Sequence, residues 1–322
     1  MKTVLVIGGA GYIGSHCARE MREAGWQVRV FDDLSTGHRE AVTDELIVGD
    51  IRDRDAMRRA MRGVDAVMHF AAKALVGEST RRPSLYFQVN VGGTANIVQA
   101  MVEHGVRDLV FSSSCSVYGT PESAPVDEDH PKAPESPYGL SKLMAEQVLD
   151  LARDREGLHV ANLRYFNASG AHPDGSLGES HDPETHLVPL ALDAVAGKRP
   201  PLSLFGRDYP TPDGTCIRDY IHVCDLASAH RAALERLAAG DPGRAWNLGT
   251  GSGTSVLEVL QAVERVTGRP VPIVDAPRRE GDPAKVWARA DRARADLSWT
   301  PAFTDIDRIV ETAWRWASQP RF

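Results

Sequence analysis

The chain has 322 residues, 42% of them hydrophobic and 25% charged, which is enough for one large or two modest domains with a real core. Its formal charge of −7 argues against nucleic acid or an anionic membrane as the main partner. Cys17, Cys115, Cys216 and Cys224 form no CxxC pair, so neither a disulfide framework nor a structural zinc site is expected, and a reducing cytoplasm fits. No signal peptide, membrane span, repeat or low-complexity tract is visible.

The first predicted strand, within Lys2 to Ile7, runs straight into Gly8-Gly9-Ala10-Gly11-Tyr12-Ile13-Gly14 and a helix from Tyr12 to about Ala24. Glycines in a strand–turn–helix context let the backbone approach a pyrophosphate, and the helix N-terminus offers N–H groups and a positive dipole end. A second strand, Gln27 to Phe31, ends at Asp32-Asp33. A carboxylate there can accept from an adenosine ribose diol and repel a 2′-phosphate, which favours NAD over NADP. A turn or cap is the competing reading of Asp32. A third strand, Leu46 to Asp50, ends at Asp50-Ile51, positioned to reach the adenine unless Asp50 caps a helix from Asp53 to Arg62.

A fourth strand starts at Ala66 and passes into the small-residue loop at Phe70-Ala71-Ala72, which permits close approach of a cofactor. His69 lies inside that apolar run and reads as a core histidine. A long helix is predicted from Pro83 to His104; its Gly92-Gly93 pair is costly in a helix and marks close packing. Asn90 on it is either a cofactor contact or a satisfied buried amide.

A fifth strand, Asp108 to Ser113, delivers Ser112-Ser113-Ser114-Cys115-Ser116. After a proline-rich acidic loop, Tyr138 and Lys142 open a helix to about Arg155. Four residues apart, they share a helix face. An ammonium beside a phenol favours the phenolate, lowering a pKa that starts near ~10 towards that of a usable base. A serine hydroxyl from the strand end can hold the oxygen that loses its proton. Tyr and Lys one turn apart on a helix usually only cover surface; the dinucleotide signal upstream raises the catalytic reading.

A sixth strand, His159 to Phe166, ends at Asn167. Alternating strands and helices to this point imply right-handed crossovers and a parallel sheet covered on both faces. The texture changes after Ala168, so a NAD-binding domain over 1–168 and a smaller domain over 169–322 are expected, with segments such as 219–240 packing back on the first. Glu179-Ser180-His181-Asp182-Pro183-Glu184-Thr185-His186 lacks HExxH spacing and carries a proline; it reads as a polar loop capping a helix from Leu187 to Ala196, and no metal is expected. Strands follow at Leu202 to Gly206, Arg218 to Val223, Ala245 to Leu248 and Val271 to Val274. Helices are expected at Asp225 to Ala238, Val256 to Val266 and Thr304 to Trp316. Arg218 and Arg279 fall at element ends, where a guanidinium fork suits phosphate oxygens and equally suits a surface ion pair.

The glycine loop, Asp32, the central serine and Tyr138-x-x-x-Lys142 resemble the extended short-chain dehydrogenase/reductase superfamily, whose fold is a Rossmann-type doubly wound parallel sheet with a smaller α/β substrate-binding domain. GGAGYIGSH (8–16), HFAAKALVGES (69–79), SSSCSVYG (112–119), PYGLSK (137–142), RYFNASG (164–170), RDYIHV (218–223) and RREGD (278–282) together resemble the UDP-glucose 4-epimerase family over nearly the whole chain. The resemblance implies an isomerase that keeps NAD and interconverts UDP-galactose and UDP-glucose through a 4-keto sugar. It implies Tyr138 as the base, Lys142 as its tuner and Ser114 on the reacting oxygen. NAD would lie along Gly8, Gly11 to Gly14, Asp32, Asp33, Asp50, Ile51, Phe70 to Ala72, Asn90, Ser112, Tyr138, Lys142 and Tyr165. The nucleotide sugar would meet Ser114, Tyr138, Asn167, His186, Leu187, Phe205, Arg218, Tyr220, Arg279 and Asp282. A cytoplasmic homodimer is implied, paired through the helices at Pro83 to His104 and Tyr138 to Arg155.

Two positions depart from the family pattern. His186 stands where some relatives have Asn, and Val286 stands at the position that gates the sugar 2-substituent, where a small side chain leaves room for an N-acetyl group. A 4,6-dehydratase needs an Asp-Glu pair where this chain has Cys115-Ser116. An epimerase of another nucleotide sugar, such as UDP-glucuronate, and a non-catalytic NAD-binding regulator remain the alternatives.

Overall fold

The computed structural model describes residues 1–279 and 281–322; Glu280, in the arginine-rich loop, lies outside the described residues. β1 (Thr3–Ile7) is buried along its whole length, as a central parallel strand must be. It leads through the glycine turn into α1 (Tyr12–Glu23), then β2 (Gln27–Asp32), β3 (Glu45–Val48), α2 (Arg54–Ala60) and β4 (Ala66–His69). Next come α3 (Val76–Arg81), α4 (Pro83–Tyr86), α5 (Gly93–His104), β5 (Asp108–Ser112), α6 (Pro137–Glu156), β6 (His159–Tyr165) and β7 (Asn167–Ser169).

The second half holds α7 (Leu187–Val195), β8 (Leu202–Phe205), β9 (Ile217–Arg218), β10 (Tyr220–His222), α8 (Val223–Ala238), β11 (Ala245–Leu248) and β12 (Thr254–Ser255). It closes with α9 (Val256–Thr267), β13 (Ile273–Ala276), β14 (Lys285–Val286), α10 (Asp291–Leu297) and α11 (Ile306–Ser318).

Seven strands form one sheet in the order β11-β6-β5-β4-β1-β2-β3, every neighbouring pair parallel. One face packs on Met57, Met61, Ile97, Met101 and Leu149 of α2, its C-terminal turn, α5 and α6. The other packs on Cys17 and Met21 of α1 and Leu226, Leu234 and Leu237 of α8. The doubly wound α/β fold is therefore present, and chain order is not spatial order: β11 and α8 come from the second half yet complete the first half's layers. A separate core of α7, α9 and α11 side chains, including Val188, Leu192, Val263 and Val310, supports the smaller lobe.

Several elements differ from expectation for identifiable reasons. Asp53 accepts from the Asp55 and Ala56 N–H groups, so α2 starts after it; Asp50 instead pairs with Arg52 and caps nothing. The helix from Pro83 to His104 is helical throughout but widens into a π segment at Phe87–Gly92. Gly93 faces Ile51, whose side chain occupies the space a Cβ would need, which explains a glycine inside the helix. The predicted strand at Arg218 to Val223 is cut in two, because the Asp219 carboxylate turns to accept from Thr250 and Ala288 N–H groups. The strand expected at Val271 to Val274 lies two residues further on. Among the described residues no helix is long and apolar enough to cross a membrane.

Candidate active site

The carboxyl ends of β1, β2, β4 and β5 meet at one edge of the sheet, where an open α/β sheet binds its ligands. Gly8 carries φ of +83°, and a Cβ there would meet Ala71 Cα at 2.8 Å. Gly14 is tighter still, since a Cβ would run into the Gly8 carbonyl oxygen and lie 2.9 Å from Gly9 Cα. Gly11 differs from both. It heads α1 with no side-chain cap, the first turn holds no acid, and a Cβ would meet only Gly8 O at 3.5 Å. A glycine-lined cradle thus opens at a helix N-terminus, which fits the pyrophosphate of a dinucleotide such as NAD.

Asp32 is buried at the end of β2 and accepts from Ala10 N–H (3.0 Å) and Leu34 N–H (2.8 Å). It therefore serves as the turn residue and also braces the glycine loop, while each carboxylate oxygen keeps a lone pair for a ribose hydroxyl. Burial raises its pKa, and the two backbone donors oppose that shift. Asp33 is exposed and accepts from Ser35 N–H. Ile51 is buried beneath α5, its side chain against Gly93. Phe70 and Ala71 both donate to Ile7 O, which ties the β4 loop against the glycine turn, with Ala72 following. The Asn90 side chain bonds Lys73 N–H, Lys73 O and Ser141 Oγ. It is the satisfied amide of the two readings and holds the 72–73 loop to α6. His69 is fully buried against Thr94, with its pKa pushed down to about 3 by burial, as a core histidine.

Tyr138 and Lys142 stand on the first turns of α6, capped by Ser136. Lys142 Nζ does not lie against the phenol. It donates to Ser112 O (2.8 Å) and sits 4.8 Å from the Phe111 ring centre. Burial lowers its pKa to about 8, with Glu146 pulling the other way. The expected depression of the Tyr138 pKa is consequently absent: desolvation pushes it up to about 12, opposed by the Ser114 hydroxyl. The Tyr–Lys spacing placed the pair on one face, but Lys142 answers to Ser112 and Glu146. Ser114 Oγ accepts from Ser116 N–H (3.2 Å) and Ser116 Oγ (2.8 Å). Tyr165 Oη bonds Ser112 Oγ at 2.7 Å, behind the same strand end.

The smaller lobe closes the other side. Asn167 Nδ2 donates to Asp219 O. Arg218 pairs with Asp282. Tyr220 is buried in the lobe's core, and its hydroxyl pKa is raised by burial and tempered by Arg218. Arg279 lies over the Phe205 ring, 4.1 Å from its centre. Leu187 begins α7 and packs in the lobe core; His186 precedes it, half-exposed and turned to Glu179 and Glu184. Val286 belongs to a small apolar cluster with Val117, Tyr118 and Phe166, against which Cys115 packs.

The profile of the NAD dependent epimerase/dehydratase family matches residues 4–249. This chain belongs to that family. It is 46% identical over 318 residues to the UDP-glucose 4-epimerase of Lacticaseibacillus casei, covering 98% of this chain and 96% of the relative. The crystal structure of UDP-glucose 4-epimerase from Brucella ovis in complex with NAD superposes with a TM-score of 0.96 at 47% identity, covering 98% of each chain. The UDP-Glc/GlcNAc 4-epimerase of Campylobacter jejuni superposes at 0.87 with 38% identity, covering 99% of this chain and all of that one.

Sequence reasoning missed the polar group beneath this epimerase-family site. Glu146 and Arg164 form a buried ion pair at 2.6 Å; Glu146 also accepts from Ser113 Oγ, and Arg164 donates to Tyr118 Oη. Tyr118 passes the chain on to Asn247 of β11. The signal was available: Tyr138, Lys142 and Glu146 continue one stripe at four-residue spacing. A carboxylate behind a buried lysine supports its charge, and the network locks the strand end that presents Ser112 to Ser114.

Proposed function

We infer that this chain is an NAD-dependent 4-epimerase that interconverts UDP-galactose and UDP-glucose. The observation that carries the reading is the meeting of the glycine cradle with Ser114, Tyr138 and Lys142 at one edge of the sheet, in a chain alike over its full length to UDP-glucose 4-epimerases. NAD, when bound, supplies a reversible hydride acceptor and a positively charged ring. Tyr138 takes the proton from the sugar 4-hydroxyl, and Ser114 holds that oxygen in line with the phenol. Lys142, the Tyr165–Ser112 pair and Asp32 orient the cofactor's riboses. Asn167, Arg218 and Arg279 hold the diphosphate, Asp282 the uridine ribose, with Leu187, Phe205 and Tyr220 lining the nucleotide. Arg218 and Asp282 satisfy each other until the nucleotide arrives, which keeps the empty pocket from holding bare charges.

The cofactor half is 1–168 and the substrate half 169–322, with β11 and α8 returned to the first. Exposed Val102, Leu140 and Leu151 on α5 and α6 support a homodimer formed through those helices. The four free thiols suit a reducing cytoplasm. Small Val286, together with the likeness to the Campylobacter jejuni enzyme, favours turnover of N-acetylated UDP-hexosamines as a second activity. The test of the reaction class is UDP-galactose deuterated at C4. Deuterium retained at C4 of the UDP-glucose formed, with no net reduction of NAD, supports it; exchange of that hydrogen with solvent refutes it.

A further inference from the structure

The loop ahead of α7 is expected from the sequence to cap the helix, but no side chain caps α7: Glu184 Oε1 accepts from Thr185 N–H (2.6 Å) and His186 N–H (2.8 Å), which precede the helix. The same fold also brings Glu179, His181, Glu184 and the half-exposed His186 together, so that one ligand-type atom from each lies within 4.8 Å of the others. His181 Nδ1 is 3.3 Å from Glu179 Oε1 and 3.5 Å from Glu184 Oε2. His186 Nδ1 is 3.3 Å from Glu184 Oε1 and 2.6 Å from Glu179 Oε1.

Ligand bonds of about 2.0–2.1 Å in a tetrahedral zinc site put neighbouring ligand atoms about 3.3 Å apart. Two of the four imidazole–carboxylate separations fall at that value, a third is 3.5 Å, and the fourth, His186 to Glu179, is shorter at 2.6 Å. The Glu179 side chain is only 6% exposed, yet its Oε1 has no aligned hydrogen-bond donor, and His181 Nδ1 is likewise buried without a hydrogen bond. A cluster held only by hydrogen-bonded ion pairs would satisfy these atoms. Here Glu179 Oε1 and His181 Nδ1 are left without a hydrogen bond, although His186 Nδ1 stands 2.6 Å from Glu179 Oε1.

We propose that Glu179, His181, Glu184 and His186 form a tetrahedral site for a zinc-type divalent cation. Two nitrogens and two oxygens suit zinc better than calcium or magnesium, which want six or more oxygens. Four protein ligands close the coordination shell, so the ion is structural and separate from the hydride chemistry.

The position gives the ion a structural task. Trp316 Nε1 donates to Glu179 O (2.8 Å), His38 Nε2 contacts Ser180 O (3.1 Å), and the His181 ring meets the edge of Tyr12 at 6.2 Å. Tyr12 opens α1 directly after Gly11. The ion therefore pins the smaller lobe's loop against the cofactor cradle.

The test is zinc uptake by the full chain. Protein purified in metal-depleted buffer is incubated with zinc, gel-filtered and assayed by atomic emission; a second sample receives cobalt(II) and its visible spectrum is recorded. One zinc per chain and the intense bands of tetrahedral cobalt are expected. His181→Gln and Glu184→Gln should each weaken zinc affinity at least about tenfold. Wild-type protein that retains no zinc and gives no tetrahedral cobalt spectrum, leaving an ion-pair cluster only, overturns the proposal. So does a folded His181→Gln variant with wild-type affinity. The wild-type measurement stands even where a variant fails to fold.

Discussion

Two glycines in the cradle should respond in opposite ways to the same added methyl. At Gly14 a Cβ runs into the Gly8 carbonyl oxygen and lies 2.9 Å from Gly9 Cα. Those are backbone atoms, so the turn itself must move. Overpacking of this kind costs roughly 1–3 kcal/mol, and an unyielding backbone puts Gly14→Ala at the upper end. Gly11 has φ of −81° and ψ of 174°, which alanine adopts freely, and its Cβ would meet nothing nearer than 3.5 Å. Gly11→Ala should leave the NAD-free protein unchanged or about 0.4–1 kcal/mol more stable, through lost freedom in the unfolded chain. The methyl would nevertheless stand where the pyrophosphate approaches the helix N-terminus. The expected signature is a Gly11→Ala protein that melts normally without NAD, carries little NAD and gains little stability when NAD is added. Gly14→Ala should melt several degrees lower even without NAD. Urea and thermal melts with and without NAD, with the bound cofactor measured by absorbance, separate the cases. A Gly11→Ala protein that retains NAD like the wild type would refute the cradle, and an unperturbed Gly14→Ala would refute the close approach.

The other expectations follow from the polar groups around the same edge. Tyr138→Phe should lose about 10²- to 10⁴-fold in kcat while melting normally and keeping NAD; full activity rejects the assigned base. Glu146→Gln removes one partner of the buried pair with Arg164 and should cost roughly 3–5 kcal/mol in a urea melt; a loss under 1 kcal/mol would show that the network is not holding the strand end. The Lys142 pKa lies near 8 when folded against 10.5 unperturbed, because burial disfavours its charge. The unfolded chain then binds more protons between those values, so NAD-free protein gains stability as pH rises from 8 to 10.5, on the order of 3 kcal/mol from this group. The gain should vanish in Lys142→Met, and a wild-type protein losing stability relative to that variant over this range would contradict the sign. Val286→Tyr should abolish turnover of UDP-N-acetylgalactosamine while UDP-galactose still reacts; equal loss of both would remove Val286 from the specificity argument.

Local patterns with strict context were legible in the sequence. The glycine turn after a buried strand, an acid at the end of β2 and the Ser–Tyr–Lys order each depend on backbone geometry that a few residues dictate. Even there the sequence read positions better than states. It placed Tyr138 and Lys142 on one face, but their pKa values depend on burial and on Ser112 O, which only tertiary structure supplies. Long-range joins were legible only in part: the return of 219–240 to the first half was expected, and α8 makes it, but the pairings themselves were not. Nothing local says that Ala245–Leu248 pairs with β6, or that Asp219 breaks a strand to reach Thr250 and Ala288. The stretch from Glu179 to His186 is visible but reads as a polar loop without a metal, because its spacing follows an irregular loop and metal-ligand patterns are recognised most readily on helices and paired turns.

The most direct test of the central claim is the conversion of UDP-galactose to UDP-glucose by purified protein with no NAD added and UDP-N-acetylgalactosamine run in parallel. Turnover of UDP-galactose without added cofactor is the predicted result, because the cradle and the strand-end serines hold NAD as a retained group. No interconversion of either sugar, even after NAD is supplied, would contradict the account.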